Sequence, residues 1–188
     1  DIFNFFMCKT AVGVLINRAN LKKFDEINLS SIERTKKIII NESGPKFVFA
    51  HFMLPHDPFY FDRNGNIIPE SERQGRSAKF NKHNYLEQLI FTNSKIKEIV
   101  DLILGKSRIA PIIILQGDHG YRFLRDMPDA KKESHSILFA AYFPEIELNS
   151  SIDTIIGVNL FRSIFNNYLG TDMPLLEHHE QFVPVVED

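Results

Sequence analysis

The stretch Ile112-Ile113-Ile114-Leu115-Gln116-Gly117-Asp118-His119-Gly120 decides how the fold is read. Its apolar run follows Pro111, is rich in β-branched residues and is too short for a helix, so it predicts a strand stopped by Gly117. Continuous rather than alternating apolar character marks a strand covered on both faces, as in parallel sheets. Gly-Asp-His-Gly at its carboxyl end then sets one hard oxygen beside one imidazole nitrogen, a pair suited to Zn²⁺ or Mn²⁺. The flanking glycines let the backbone turn so that two adjacent side chains can converge. The same four residues can also form an ordinary strand-end turn, with Asp118 capping and His119 merely exposed.

Outward from this stretch, Phe47-Val48-Phe49-Ala50 reads as another buried strand, bounded by the turn residues 41–45 and by Pro55. Ser136 to Phe143 reads as a third. Leu86, Leu89, Ile90, Ile96, Val100, Ile103 and Leu104 predict an amphipathic helix over 82–104, ended by Gly105, and Phe161, Ile164, Phe165 and Tyr168 share a helical face over 158–169. Residues 1–20 read as a helix, Leu21 to Asn41 as a mixed segment with a basic patch, and 55–80 as a long polar connection that is functional or mobile. Strands alternating with helices predict an α/β fold with a mostly parallel sheet flanked by helices. The expected organisation is one domain over 1–188: a helical lead-in (1–40), an α/β core (41–180) and a surface tail (181–188).

Ligands of such sheets bind beyond the carboxyl ends of the strands. That rule selects Asp118 and His119, and also His51-Phe52-Met53-Leu54-Pro55-His56-Asp57-Pro58-Phe59. A histidine there can donate to an anionic ester oxygen or protonate a leaving group, and the prolines stiffen its loop. The competing reading packs His56 against Phe59 and Tyr60, with Asp57 capping a turn. Arg122 is a candidate anion clamp; His135 and the pair His178-His179 are weaker candidates.

The 188 residues suffice for a domain with a substantial core, and 17 phenylalanines with no tryptophan point either to a dry aromatic one or to a compositional bias of the source. A formal charge of −2 provides no field for nucleic acid. Cys8 is the sole cysteine, which excludes an intrachain disulfide. No apolar run reaches the roughly 18 residues of a bilayer span.

Taken in order, Phe47 to Ala50 leading into His51-x4-His56-Asp57-Pro58-Phe59, then Ile112 to Leu115 leading into Gly-Asp-His-Gly, then Val158 to Arg162, Tyr168 to Gly170 and Met173 to Leu176, the sequence resembles the sulfatase-like branch of the alkaline phosphatase superfamily. The resemblance spans roughly residues 40–180. It implies an alkaline-phosphatase-like fold, here partial, and metal-dependent hydrolysis or transfer of sulfate or phosphate esters. Asp118 and His119 would ligate a divalent ion (Zn, Mn or Ca). His56 and His51 would serve as catalytic groups at the transferred group or its leaving oxygen, and Asp57 and Arg122 would help to bind the ester. Family members carry their nucleophile and a further acidic ligand in an N-terminal part. Neither Cys8 nor Thr10 has the family's context, so the chain is expected to be a C-terminal portion, incomplete and inactive without that part. The resemblance also implies an extracytoplasmic location, periplasmic or at the cell surface, with any membrane anchor in the N-terminal region. The alternative is a non-catalytic α/β binding or scaffold domain that retains the fold.

Overall fold

The structure is a computed structural model that describes residues 24–73, 82–122, 129–144 and 157–177. The helix expected over 1–20, Cys8, Thr10, His178-His179 and the tail over 181–188 lie outside these residues. The chain divides into two compact units, Asp1–Ile109 and Ala110–Asp188.

In the first unit, helix α1 (Phe24–Asn41) packs against α3 (Lys82–Lys106), with a single short turn of helix, α2 (Glu70–Arg73), between them in sequence. α1 occupies the segment expected to be mixed. Its Ser30, Ser31 and Thr35 favour turns when they bond to nearby backbone, but here each hydroxyl bonds back within the helix: Ser30 and Ser31 to the Ile27 carbonyl (2.9 and 2.8 Å), Thr35 to the Ser31 carbonyl (2.9 Å). Its buried positions Asn28, Ile32 and Thr35 recur at helical spacing on one face. Lys36 ties the two helices, its Nζ lying 2.7 Å from Glu98 and 3.1 Å from Glu33.

The helix expected over 82–104 is present, but turned differently from its apolar pattern. Leu86, Ile90 and Leu104 are exposed, while Asn84, Glu87, Gln88, Phe91, Thr92 and Ile99 are buried. Glu87, Gln88 and Phe91 meet the segment read as a polar connection. Leu54, Tyr60 and Phe61 join Ile32, Phe91 and Ile99 in the core, and the rings of Phe61 and Phe91 stand 4.8 Å apart. Phe59 meets Tyr85 edge-on, and Arg73 lies over the Tyr60 ring at 4.5 Å.

A tight turn follows this aromatic run. Asp62 Oδ1 accepts the backbone N–H groups of Asn64 (2.8 Å) and Asn66 (2.9 Å), its Oδ2 accepts the Asn66 side-chain amide (2.9 Å), and its carbonyl accepts Gly65 N–H (3.0 Å). These bonds, the Asn66 amide first, hold the Asp62 carboxyl below its usual range. The turn brings Phe61 opposite Ile67 in an antiparallel bridge.

The strand expected over 47–50 is absent. Phe47 and Phe49 are 81% and 82% exposed, and the segment is extended without a ladder. Consecutive apolar residues make a buried strand only where neighbours and covering layers are at hand, and no strand pairs with this segment among the described residues.

The second unit contains β1 (Ile113–Gln116), α4 (Ala130–His135), β2 (Phe139–Tyr142), a 3₁₀ turn (Gly157–Asn159) and α5 (Leu160–Leu169). The two strands and α5 fall where the sequence predicted them. The mostly parallel sheet does not: among the described residues the sheet is two-stranded and antiparallel, pairing Ile113 with Tyr142 and Gln116 with Phe139. The reason is local. After β1 the chain folds back on itself, Gly117 N–H bonding the Leu138 carbonyl (2.9 Å) and Gly120 N–H the Ser134 carbonyl (2.7 Å), so the returning strand runs the opposite way. Two asparagines fasten the loop after α5. Asn159 exchanges bonds with Leu176 N–H and carbonyl (both 2.8 Å), and Asn166 accepts from Met173 N–H (2.7 Å) and donates to its carbonyl (2.9 Å).

Two outcomes follow for stability. Gly65 has φ +84°, and a Cβ there would lie 2.7 Å from the Phe91 ring; Gly65→Ala should cost at least about 1–2 kcal/mol for the left-handed backbone alone, read as a lower urea midpoint. Hydrogen bonds from Lys36 and then Lys95 hold Glu98 below its ordinary value of 4.5. A carboxylate depressed in the folded state stabilises above its unfolded pKa and stops doing so as pH falls through the folded one. Thermal unfolding should therefore lose more stability between pH 5 and 3 in the wild type than in Glu98→Gln, by at most about 1 kcal/mol for so exposed a network.

Candidate functional site

Asp118 and His119 lie just beyond the end of β1, in the turn that returns toward α4 and β2. Asp118 Oδ1 accepts the His119 backbone N–H at 3.0 Å. The imidazole is set by its other nitrogen: Nδ1 stands 2.7 Å from the Gly120 carbonyl. A carbonyl can only accept, so Nδ1 carries the hydrogen and the neutral ring presents its lone pair at Nε2. That nitrogen is 3.9 Å from Asp118 Oδ2. Two ligands bonded to one ion at about 2.0–2.2 Å can stand at most about 4.3 Å apart, so a single ion could take both. An Nδ1–H bonded to a backbone carbonyl is also the usual support of a metal-binding histidine. The side chains are accessible, Asp118 at 92% and His119 at 33%.

The glycine that permits this turn is Gly120. A Cβ on it would sit 2.0 Å from the Glu133 carbonyl oxygen and 2.7 Å from that of Ser136, both backbone atoms of α4 and its C-cap. Gly117, expected to matter equally, has room: its Cβ would meet nothing nearer than Leu138 N at 3.6 Å, and its backbone is not left-handed. Arg122 is half-buried, three residues beyond His119, and His135 is half-buried at the end of α4. Among the described residues no group of three or more His, Cys, Asp or Glu side chains could hold an ion. Asp118 and His119 are thus two donor side chains close enough to share an ion, with no third in such a group among the described residues.

His56, Asp57 and His51 belong to the first unit. His56 Nδ1 lies 2.5 Å from the Asp57 carbonyl and 3.3 Å from Asp57 Oδ1. As at His119, this assigns the hydrogen to Nδ1 and the lone pair to Nε2. The ring is about one-third exposed, and His51 is exposed. The loop's backbone is held from outside: Met53 N–H bonds Asn28 Oδ1 (2.9 Å), and the His56 carbonyl accepts from Gln88 Nε2 (2.9 Å). Sequence reading passed over Gln88. The only signal available was a carboxamide beside Glu87, the two polar residues standing between Leu86 and Leu89-Ile90-Phe91.

A sequence model of the sulfatase family matches residues 18–166, well over half of the chain and parts of both units. The chain belongs to the sulfatase family, within the alkaline phosphatase superfamily, a group of hydrolases and transferases with an α/β fold that typically use a divalent metal. No curated protein and no solved structure matches it significantly.

The crowding at Gly120 gives a direct test. Gly120→Ala must push backbone against backbone, so it should lower the unfolding midpoint far more than Gly117→Ala, by about 2 kcal/mol or more against under about 1 kcal/mol. Paired denaturant melts would measure the difference.

Proposed function

We propose that the protein catalyses metal-dependent hydrolysis or transfer of sulfate or phosphate esters, with this chain contributing Asp118 and His119 to the metal and His56 to the ester. The observation that carries the reading is the support of His119: Nδ1–H bonded to the Gly120 carbonyl, with Nε2 3.9 Å from Asp118 Oδ2, in a chain of the sulfatase family. The donor set, one carboxylate and one imidazole, fits Zn, Mn or Ca in descending order of preference for nitrogen. An ion bound there would supply charge neutralisation at the transferring group.

The side chains divide the remaining work. The Asp57 carbonyl orients the His56 ring, and His56 Nε2, when protonated, donates to an ester oxygen and passes its proton to the leaving group. Asp57 supports that ring, its Oδ1 lying 3.3 Å from Nδ1. His51 and Arg122 add donors for the anionic ester. The nucleophile and a further acidic ligand are not among the residues assigned here; in the family they lie toward the N-terminus, as the resemblance implies. An extracytoplasmic location goes with this reading. Among the described residues no helix is long and apolar enough to cross a membrane.

A scaffold that keeps the fold without chemistry is the competing reading. It is favoured by the lack, among the described residues, of a third metal-binding side chain near Asp118 and His119. Metal analysis of the protein as its gene encodes it separates the two. The wild type should retain close to one or more equivalents of a divalent ion after dialysis, and Asp118→Ala and His119→Ala should each lose binding by at least about tenfold. Hydrolysis of aryl sulfates and aryl phosphates should fall in parallel. Equal metal content in all three proteins would overturn the assignment of these ligands.

A further inference from the structure

We infer that Gln88 is the positioning residue of the His56 loop, an inference that rests on reading His56 as the group that faces the ester. Gln88 is completely buried, and its neighbours in that respect are Phe61 and Leu160. A carboxamide is costly to bury unless its polar atoms are bonded. Its Oε1 accepts from Tyr60 N–H at 2.7 Å and Phe61 N–H at 3.2 Å, and its Nε2 donates to the His56 carbonyl at 2.9 Å. Two of the partners can only donate and the third can only accept, so one orientation of the amide satisfies all three.

The loop has a specific need for such a partner. Pro55 and Pro58 carry no N–H, and no ladder runs through residues 51–60, so backbone groups that local turns leave unpaired inside must find side chains. Gln88 supplies one from α3 on both sides of Asp57-Pro58. It pins the backbone at His56, while the Asp57 carbonyl pins the ring through Nδ1 at 2.5 Å. Together they fix where Nε2 stands. A leucine or methionine at 88 would fill the same volume without desolvating an amide, so packing alone does not account for a glutamine here.

Two substitutions in the full-length protein test the role. Gln88→Met removes all three bonds at nearly constant volume. Gln88→Glu keeps an acceptor for Tyr60 and Phe61 but, once ionised, sets an oxygen against the His56 carbonyl; protonated, it can donate as glutamine does. For both at neutral pH, kcat on an aryl sulfate or aryl phosphate should fall by about tenfold to a hundredfold, with KM changing by less than about threefold. The His56 ring resonances of Gln88→Glu should return to their wild-type positions as the new carboxyl is protonated, giving the variant a pH step that the wild type lacks. If both variants keep kcat within about twofold and leave the His56 resonances unmoved, Gln88 does not position the loop.

Should either variant fail to fold, the wild type still decides: the Tyr60 and Phe61 amides should exchange at least about a thousandfold slower than free peptide, and rapid exchange would remove the clamp. His56→Ala, assayed alongside, separates the two levels. Full activity in that variant would sink the ester-facing role of His56, while the resonance and exchange data would continue to judge the Gln88 clamp alone.

Discussion

Backbone amides and carbonyls that leave water must be paired, and in the first unit a segment with almost no regular structure runs through the interior. Residues 53–63 meet that constraint through side chains of the two long helices. Asn28 of α1 takes Met53 N–H, Gln88 of α3 takes Tyr60 and Phe61 N–H and the His56 carbonyl, and Glu87 takes Arg63 N–H at 3.1 Å while also binding the Arg63 guanidinium. Each helix therefore presents polar residues inward, where an amphipathic pattern would put apolar ones. The hydrophobic contribution is shared: Tyr60 and Phe61 of the loop close over Phe91 of α3, with Ile32 and Ile99 of the two helices in the same cluster. Core and candidate site share the same few residues: the aromatic run that fills the interior continues directly from His56-Asp57-Pro58.

The second unit solves a smaller version of the problem. A pair of four-residue strands is a weak structure by itself, and its turn is closed by backbone bonds at Gly117 and Gly120 rather than by packing. Gly120 then sits against the α4 carbonyls with no space for a side chain, and this close approach holds the next carbonyl where His119 Nδ1 can reach it. The orientation of the imidazole follows from the backbone path, before any ion is considered.

Much of this was legible in the residues. Gly170 follows α5 in the left-handed conformation that suits a helix end, α3 runs one residue past the Gly105 expected to end it, to Lys106, and Ile112 to Leu115 announces β1. What could not be read depends on distant partners. α1 hides because Ser30, Ser31 and Thr35 look like turn residues until their hydroxyls are seen bonding back along the helix. Phe59, Tyr60 and Phe61 hide among prolines and asparagines, whose turn chemistry outweighed three aromatic residues in the reading. The apolar run 47–50 carries the pattern of a buried strand, yet burial belongs to its neighbours and cannot be written into four residues. For Asp118 and His119, the residue types could be named in advance. The tautomer could not, because it is decided by the position of one carbonyl oxygen.

The turn at Asp62 has one more consequence, for the chemical lifetime of the chain. Asn64-Gly65 is the dipeptide most prone to lose ammonia, because the glycine nitrogen can swing round and attack the asparagine side-chain carbon. In this turn the Gly65 N–H is bonded to the Asp62 carbonyl, and the Asn64 N–H to the Asp62 carboxylate. The attacking nitrogen is held in place with its hydrogen engaged, so the four-residue knot that shapes the hairpin also shields an exposed, fragile peptide from ageing for as long as the fold persists.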